Sequence, residues 1–362
     1  MQVTASEMTS RNKNRIFYLD FLRVLAIYTT VGIHILTQVW TGADVYGFSW
    51  KIYNIFLSGY SWGVPVFTMI SGALFLDSKR SIDRNTLYSK NIRKILMGFC
   101  FWSVAYAIIF DLRSKGVQKF LYSIFTGEFH LWFLIMIAVM YMLTPLLRKF
   151  TCDKMLTEYF LKLSAVISFV IPQSLFLLNL LDIPYLNNII QGLSKTFGEM
   201  SGFFPHFYLF YFVAGYYFSV TELTPRVRKR LYILGILGYL FTVAATDRYS
   251  RFLGAGNEAF YNKNWVNLAF MTVAVFVFGK YELGSLKLSE KAMAFIGKLS
   301  AYSIGIYYVH LMLIKGIYGL LDLSQRDINP FITCLVFPVL FFFLSAFATA
   351  VMRKLPLLNK VV

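Results

Sequence analysis

Charge is what this chain lacks most. Only 15% of its 362 residues are Asp, Glu, Lys or Arg, against 57% apolar residues and a mean hydropathy of +0.59. A soluble globule would carry about 25% charged residues, so a water-facing surface around a single core is excluded. Long hydrophilic stretches are missing too, which leaves no segment for a separate soluble domain. Cysteine is nearly absent: of three, Cys100 and Cys334 fall in apolar runs and Cys152 in a short basic loop. With no CxxC and no Cys/His cluster, neither a disulfide framework nor a zinc site is supported. Sequence repeats and low-complexity segments that would signal inverted halves are also absent.

What is present is a series of apolar runs separated by charges and turn residues. They give an all-α, polytopic membrane protein with about ten spans, near 17–39, 55–76, 92–110, 130–147, 160–180, 204–220, 231–246, 264–279, 299–319 and 330–352. The seventh and eighth are short enough to be one re-entrant pair. Residues 1–16 read as a polar tail and 353–362 as a second one, flanking a membrane domain over 17–352. The first run carries Asp20 and Arg23 and no small-residue cleavage site, so it reads as a retained helix rather than a signal peptide.

The net charge of +17 would suggest nucleic acid in a soluble protein. Here it is a topology signal. With both termini in the cytoplasm, 24 of the 35 Lys and Arg fall inside, ten outside, and Arg23 within a helix. The cluster from Lys79 to Lys94 belongs to that inside face. Arg93 and Lys90 stand at the mouth of the third span, one turn apart, where a guanidinium and an ammonium could hold phosphates.

The same orientation sends all four histidines to the outer face. His34 lies about five residues from the outer end of the first span, His130 and His206 open the fourth and sixth, and His310 lies in the outer half of the ninth. His206 sits among aromatics and reads as part of an interfacial belt, and His130 fits that reading or a site equally. His34 differs. Eleven helical steps from Arg23 return to within about 20° of the same direction and climb roughly 16 Å, so Arg23 and His34 share one stripe about half a bilayer apart. Asp20, Thr30 and Gln38 lie near that stripe. Arg23 could snorkel to the cytoplasmic interface or pair with Asp20. An ionisable stripe inside a span is costly in hydrocarbon, and it marks a functional face. In the second span, Pro65 predicts a kink and Ser71-Gly72 a close approach beside a cavity.

Four stretches in order carry a family likeness: Tyr18-Leu-Asp-Phe-Leu-Arg23 with His34, Gly63-Val-Pro-Val-Phe-Thr-Met-Ile-Ser-Gly72, His130-Leu-Trp-Phe-Leu134, and Ser303-Ile-Gly-Ile-Tyr-Tyr-Val-His310. Together they resemble the acyltransferase-3 family of integral membrane acyltransferases, in its form without a fused soluble domain. The resemblance implies about ten helices, an acyl-coenzyme A donor (acetyl-CoA first) taken from the cytoplasm, and O-acylation of an envelope glycan or lipid-linked sugar at the outer face of a bacterial cytoplasmic membrane. Where the family often has Arg-x-x-Arg between its second and third helices, this chain has Lys90-Asn-Ile-Arg93.

A hydroxyl acceptor needs a base poised near neutral pH, which histidine supplies most readily. The expected assignment is His34 as base or transient acyl carrier, with Arg23 and Asp20 organising a channel. Arg23, Lys90 and Arg93 would hold the donor, and Glu128, His130, Trp132 and His310 would shape the acceptor side. No metal and no nucleic acid enter this reading; membrane lipids surround it, and the oligomeric state stays open. A transporter or flippase would use intramembrane His and Arg as well, so it is the competing class.

Overall fold

The computed structural model describes the chain apart from residues 1–15, 81–82, 113–115, 182, 185, 204–205, 324–327 and 357. The N-terminal tail, including Arg11, Lys13 and Arg15, therefore lies outside the described residues. The described chain is 84% helical with no strands. In a bilayer every backbone polar group must be satisfied within the protein, and helices do this locally. Among the described residues eight helical stretches are long and apolar enough to cross a membrane, with Gly116–Thr151 and Ala259–Ser285 each counted as one.

In chain order the helices are α1 (Phe17–Trp40), α2 (Phe48–Tyr60), α3 (Gly63–Phe75), α4 (Arg84–Asp111), α5 (Gly116–Thr126), α6 (Trp132–Thr151), α7 (Lys154–Leu180), α8 (Asn187–Phe203), α9 (His206–Val220), α10 (Pro225–Leu253), α11 (Val266–Tyr281), α12 (Glu290–Leu321) and α13 (Ile332–Met352). The helix α1 is central: it packs against α12, α3, α13, α2 and α11. Of its apolar window 61% is buried, against 17% for α7 and 22% for α10, which sit at the periphery. This placement is what allows α1 to carry Asp20, Arg23 and His34 without presenting them to lipid.

The seventh and eighth expected spans are two full helices rather than one re-entrant pair. Thr224 caps α10 by accepting from the amide of Val227, Pro225 sets its first turn, and Gly254, at φ 69°, closes it after 29 residues. Capping thus extends the helix well beyond its apolar run. The expected second span is divided. One helix ends at Tyr60 and another begins at Gly63, so Pro65 falls in a first turn, where its missing N–H would have had no partner. The predicted kink is instead a break at Ser61 and Trp62. The sixth span is the short apolar helix Phe207–Val220.

This short helix crosses α3 at very close range. A Cβ on Gly72 would lie 1.7 Å from the carbonyl oxygen of Phe212, and one on Gly215 would lie 1.9 Å from that of Met69. Only the reciprocal pair of glycines permits the approach. At the end of the bundle rich in Lys and Arg, Arg148 donates to the carbonyls of Phe75, Asp77 and Arg80 at 2.7, 2.9 and 3.0 Å. A guanidinium there satisfies the carbonyls that the end of α3 and the turn after it leave open.

Candidate active site

A cavity of about 380 Å³ opens between α1, α3, α4, α6 and α12. Its basic mouth is formed by Lys90, Asn91 and Lys94 of α4, followed by Arg23 of α1. Deeper, the walls turn aromatic, with Phe67, Phe133, Tyr141 and Tyr307. Ser71 of α3 lines it too, in keeping with the cavity read from the sequence beside Ser71-Gly72.

Asp20 and Ser300 both hold Arg23. Its guanidinium donates to Asp20 Oδ1 at 3.3 Å and to Ser300 Oγ at 3.0 Å, while the Ser300 hydroxyl donates to Asp20 Oδ1 at 2.5 Å. Asp20 is only 6% exposed, so its charge is matched by a built network rather than by water. Arg23 therefore does not simply snorkel away: it is fixed where it lines the cavity.

Beyond Tyr307 lie three histidines. The His34 and His310 rings are 5.2 Å apart between centroids, His130 and His310 5.4 Å, and His34 and His130 6.3 Å. Each comes from a different element. His34 is on α1, His130 in the 3₁₀ turn Phe129–Leu131 that starts α6, and His310 on α12. Tyr307 touches both regions, since it lines the cavity and its ring stands 5.3 Å from His130 and 6.0 Å from His310. Its hydroxyl donates to the His130 carbonyl.

Polar partners are unequally distributed in this cluster. His310 is fully buried, and its Nδ1 lies 3.1 Å from the Ile306 carbonyl, an acceptor that can only receive a proton. That bond assigns the proton to Nδ1 and leaves Nε2 with a free lone pair. Among the described residues, His310 Nε2 and both ring nitrogens of His130 are buried without a hydrogen-bond partner. Unpaired buried polar atoms are costly, and their gathering at one place marks a site rather than a core. His34 is half-buried, and its carbonyl receives the side chains of Thr37 and Gln38 at 3.3 Å each. Among the described residues no group of His, Cys, Asp and Glu is arranged to hold a metal ion.

The other expected residues fall around these two regions. Glu128 accepts from the Phe129 amide at 3.2 Å, capping the turn that carries His130, and pairs with Lys315 at 2.9 Å. With Tyr106, Asp111 and Lys119 these two line a smaller polar pocket of about 170 Å³ beside the histidines. Trp132 is 42% exposed and packs 5.4 Å from the Tyr208 ring. The side chain of His206 is outside the described residues.

Lys90 lies on the cavity, but Arg93 does not. It lines an apolar depression with Tyr88, Leu96 and Met97 on another face of α4. At about 100° per residue, the four steps to Lys94 return to within about 40° of Lys90, while the three to Arg93 stop about 60° short. The π turn Leu87–Ile92, with its smaller rotation per residue, carries Arg93 further off that face and keeps Lys94 on it. Sequence reasoning missed Lys94, Ser300, Tyr307 and Lys315. The i, i+4 spacing to Lys90 was a signal for the first and the i, i+3 spacing to His310 for Tyr307; Ser300 and Lys315 gave none.

A family model described as an acyltransferase domain matches residues 16–353, nearly the whole chain. The chain belongs to the acyltransferase-3 family. It is thus a multi-pass membrane acyltransferase. Neither a curated protein nor a solved structure matches it.

Proposed function

We propose that this acyltransferase moves an acyl group, acetyl in the first instance, from acyl-coenzyme A entering at the basic end to a hydroxyl presented at the histidine end. The observation that carries the reading is the continuity of the cavity. It begins at Lys90 and Lys94, passes Arg23, and ends on Tyr307, whose ring contacts His130 and His310. Coenzyme A brings phosphates, which suit a pair of ammonium groups, and a long thin arm, which suits an aromatic-walled passage.

At the far end, His34 takes the proton of the acceptor hydroxyl as that oxygen attacks the thioester carbonyl. The carbon–sulfur bond then breaks, and the coenzyme leaves as its thiol after receiving a proton from the imidazolium. His34 is the member of the cluster with exposed surface, so it is the one an incoming hydroxyl can reach. His310, with its proton fixed at Nδ1, offers Nε2 as an acceptor beside it. Asp20 acts through Arg23 as a positioning residue. Under this reading the basic end faces the cytoplasm, both termini included, and the histidine end faces outward in a bacterial cytoplasmic membrane. The acceptor is then an envelope glycan or lipid-linked sugar.

The deciding experiment uses protein purified in detergent, with acetyl-coenzyme A labelled in the acetyl group, and follows thioester loss by thiol release. Acetyl-dependent thiol release, raised by added hydroxyl acceptors and lost in His34→Ala, is the expected result. A protein that binds no coenzyme A and releases no thiol sinks the proposal and returns the transport reading.

A further inference from the structure

A second cavity, of about 300 Å³, lies at the histidine end between the close of α7, the helix α8 and the loop that precedes α11. Its lining differs from that of the first. Phe176 and Trp265 provide aromatic surface, their ring centroids 4.9 Å apart, and Asn179, Ser194, Asn262 and Asn264 provide amides and a hydroxyl. No Asp, Glu, Lys, Arg or His side chain lines it among the described residues.

Among the described residues, the Oδ1 of Asn264 is buried without a hydrogen bond, and so is the hydroxyl of Tyr208. Tyr208 stands on the line of contacts that joins this cavity to the histidines. Between Asn262 and Asn264, the Lys263 carbonyl receives the Tyr211 hydroxyl at 2.9 Å. The Tyr211 ring is 6.3 Å from that of Tyr208, and Tyr208 is 5.4 Å from Trp132, two residues after His130. Three aromatic side chains in series, Tyr211, Tyr208 and Trp132, thus lie between this cavity and the histidine cluster.

We propose that this cavity is a subsite for a neutral sugar ring of the acceptor, so that the acceptor is an oligosaccharide whose acylated hydroxyl lies on a unit further along its chain; this rests on the acyl-transfer reading above. A pyranose combines an apolar face of C–H groups with a rim of hydroxyls. Aromatic planes match the face, and amides, which both donate and accept, match the rim. An anionic sugar or a phosphate would be left without a counter-charge here. Asn179 donates to Ser194 Oγ at 2.9 Å, but a lipid chain would still leave the Asn264 amide oxygen unpaired. The volume lies at the lower end of the range for small-ligand pockets, enough for a single ring.

The test uses full-length protein in a detergent without a sugar headgroup, titrated by calorimetry with cellotetraose, maltotetraose and chitotetraose, and with the corresponding monosaccharides. At least one tetrasaccharide is expected to bind at least about tenfold more tightly than its monosaccharide. Trp265→Ala and Asn264→Ala are each expected to remove most of that difference. Trp265 also packs on Phe260, at 4.8 Å, so thermal unfolding accompanies each variant, and Asn264→Ala is the variant that leaves this aromatic cluster whole. No tetrasaccharide binding to the wild type, or a tetrasaccharide preference that survives both substitutions, overturns the subsite. Thiol release from acetyl-coenzyme A, measured on the same preparations, separates the two readings. Sugar binding with no thiol release sinks acyl transfer and keeps the subsite. Turnover with a monosaccharide acceptor, indifferent to Trp265→Ala and Asn264→Ala, does the reverse.

Discussion

Replacing His34 by alanine separates catalysis from packing, because the structure gives the two effects different sizes. His34 is half-buried as a residue, and its ring's aromatic neighbours are Phe129 at 5.4 Å, His310 at 5.2 Å and His130 at 6.3 Å. Truncating a fully buried aromatic costs about 3–5 kcal/mol, so removal of a half-buried imidazole should cost less, on the order of 1–2 kcal/mol. General base catalysis is worth roughly 10²–10⁴ in rate, which corresponds to about 2.7–5.4 kcal/mol of activation free energy. The expected outcome is a loss of at least 10²-fold in turnover with a modest fall in thermal stability and an unchanged acetyl-coenzyme A constant, since the donor's phosphates bind at the other end.

Initial rates of thiol release over a range of donor concentrations, with thermal unfolding of the same samples, supply both numbers. The pH profile adds a third. A base must be unprotonated to act, so the wild-type rate should rise with pH through one titration, and the residual rate of His34→Ala should not follow it. His34→Gln, which keeps volume and polarity, should be as inactive as the alanine variant and more stable. A well-folded His34→Ala protein that turns over at near the wild-type rate refutes the assignment, as does recovery of turnover in His34→Gln.

Lys94→Ala, alone or with Lys90→Ala, should raise the apparent acetyl-coenzyme A constant by at least about tenfold with a smaller change in turnover at saturation, whereas Arg93→Ala should leave that constant within about twofold; a larger effect at Arg93 than at Lys94 would show that the cavity mouth is not where the donor enters. Gly72→Ala should destabilise the protein by about 1–3 kcal/mol or prevent its accumulation, because the added methyl meets the Phe212 carbonyl, and a melting temperature equal to wild type would contradict the packing of α3 on α9. Single cysteines at Lys119 and Lys291, in a background without Cys100, Cys152 and Cys334, should react with an impermeant maleimide from opposite sides of intact cells; equal labelling would sink the orientation drawn from the charge asymmetry.

How far the sequence carried the site depends on whether a relationship was local or required a packing partner. Arg23 and His34 could be joined from spacing alone, since both lie on one uninterrupted helix, Phe17–Trp40, and the 3.6-residue period fixes their directions. Helix ends were less legible. The extent of α10 is decided by Thr224, Pro225 and Gly254, outside the apolar run that announces it. Lys94 rather than Arg93 lies with Lys90 on the cavity, as the i, i+4 spacing allows, and the π turn Leu87–Ile92 turns Arg93 further away.

The convergence of the histidines lies in a different category. Read singly, His130 and His310 are ordinary residues of an aromatic interface and an apolar helix, and nothing in their flanking sequences states that they meet. They meet because α12 packs along α1 and because Glu128 caps the short turn that presents His130. Charge asymmetry gave half of this result by sending all four histidines toward one end; tertiary packing supplied the rest. The same division explains Ser300. A serine in a long apolar helix carries no sequence signal, yet opposite Asp20 and Arg23 it completes the network that fixes the guanidinium toward the cavity. A residue of that kind becomes visible only when the helix facing it is known, and its partners on α1 were the part of the site that spacing alone could supply.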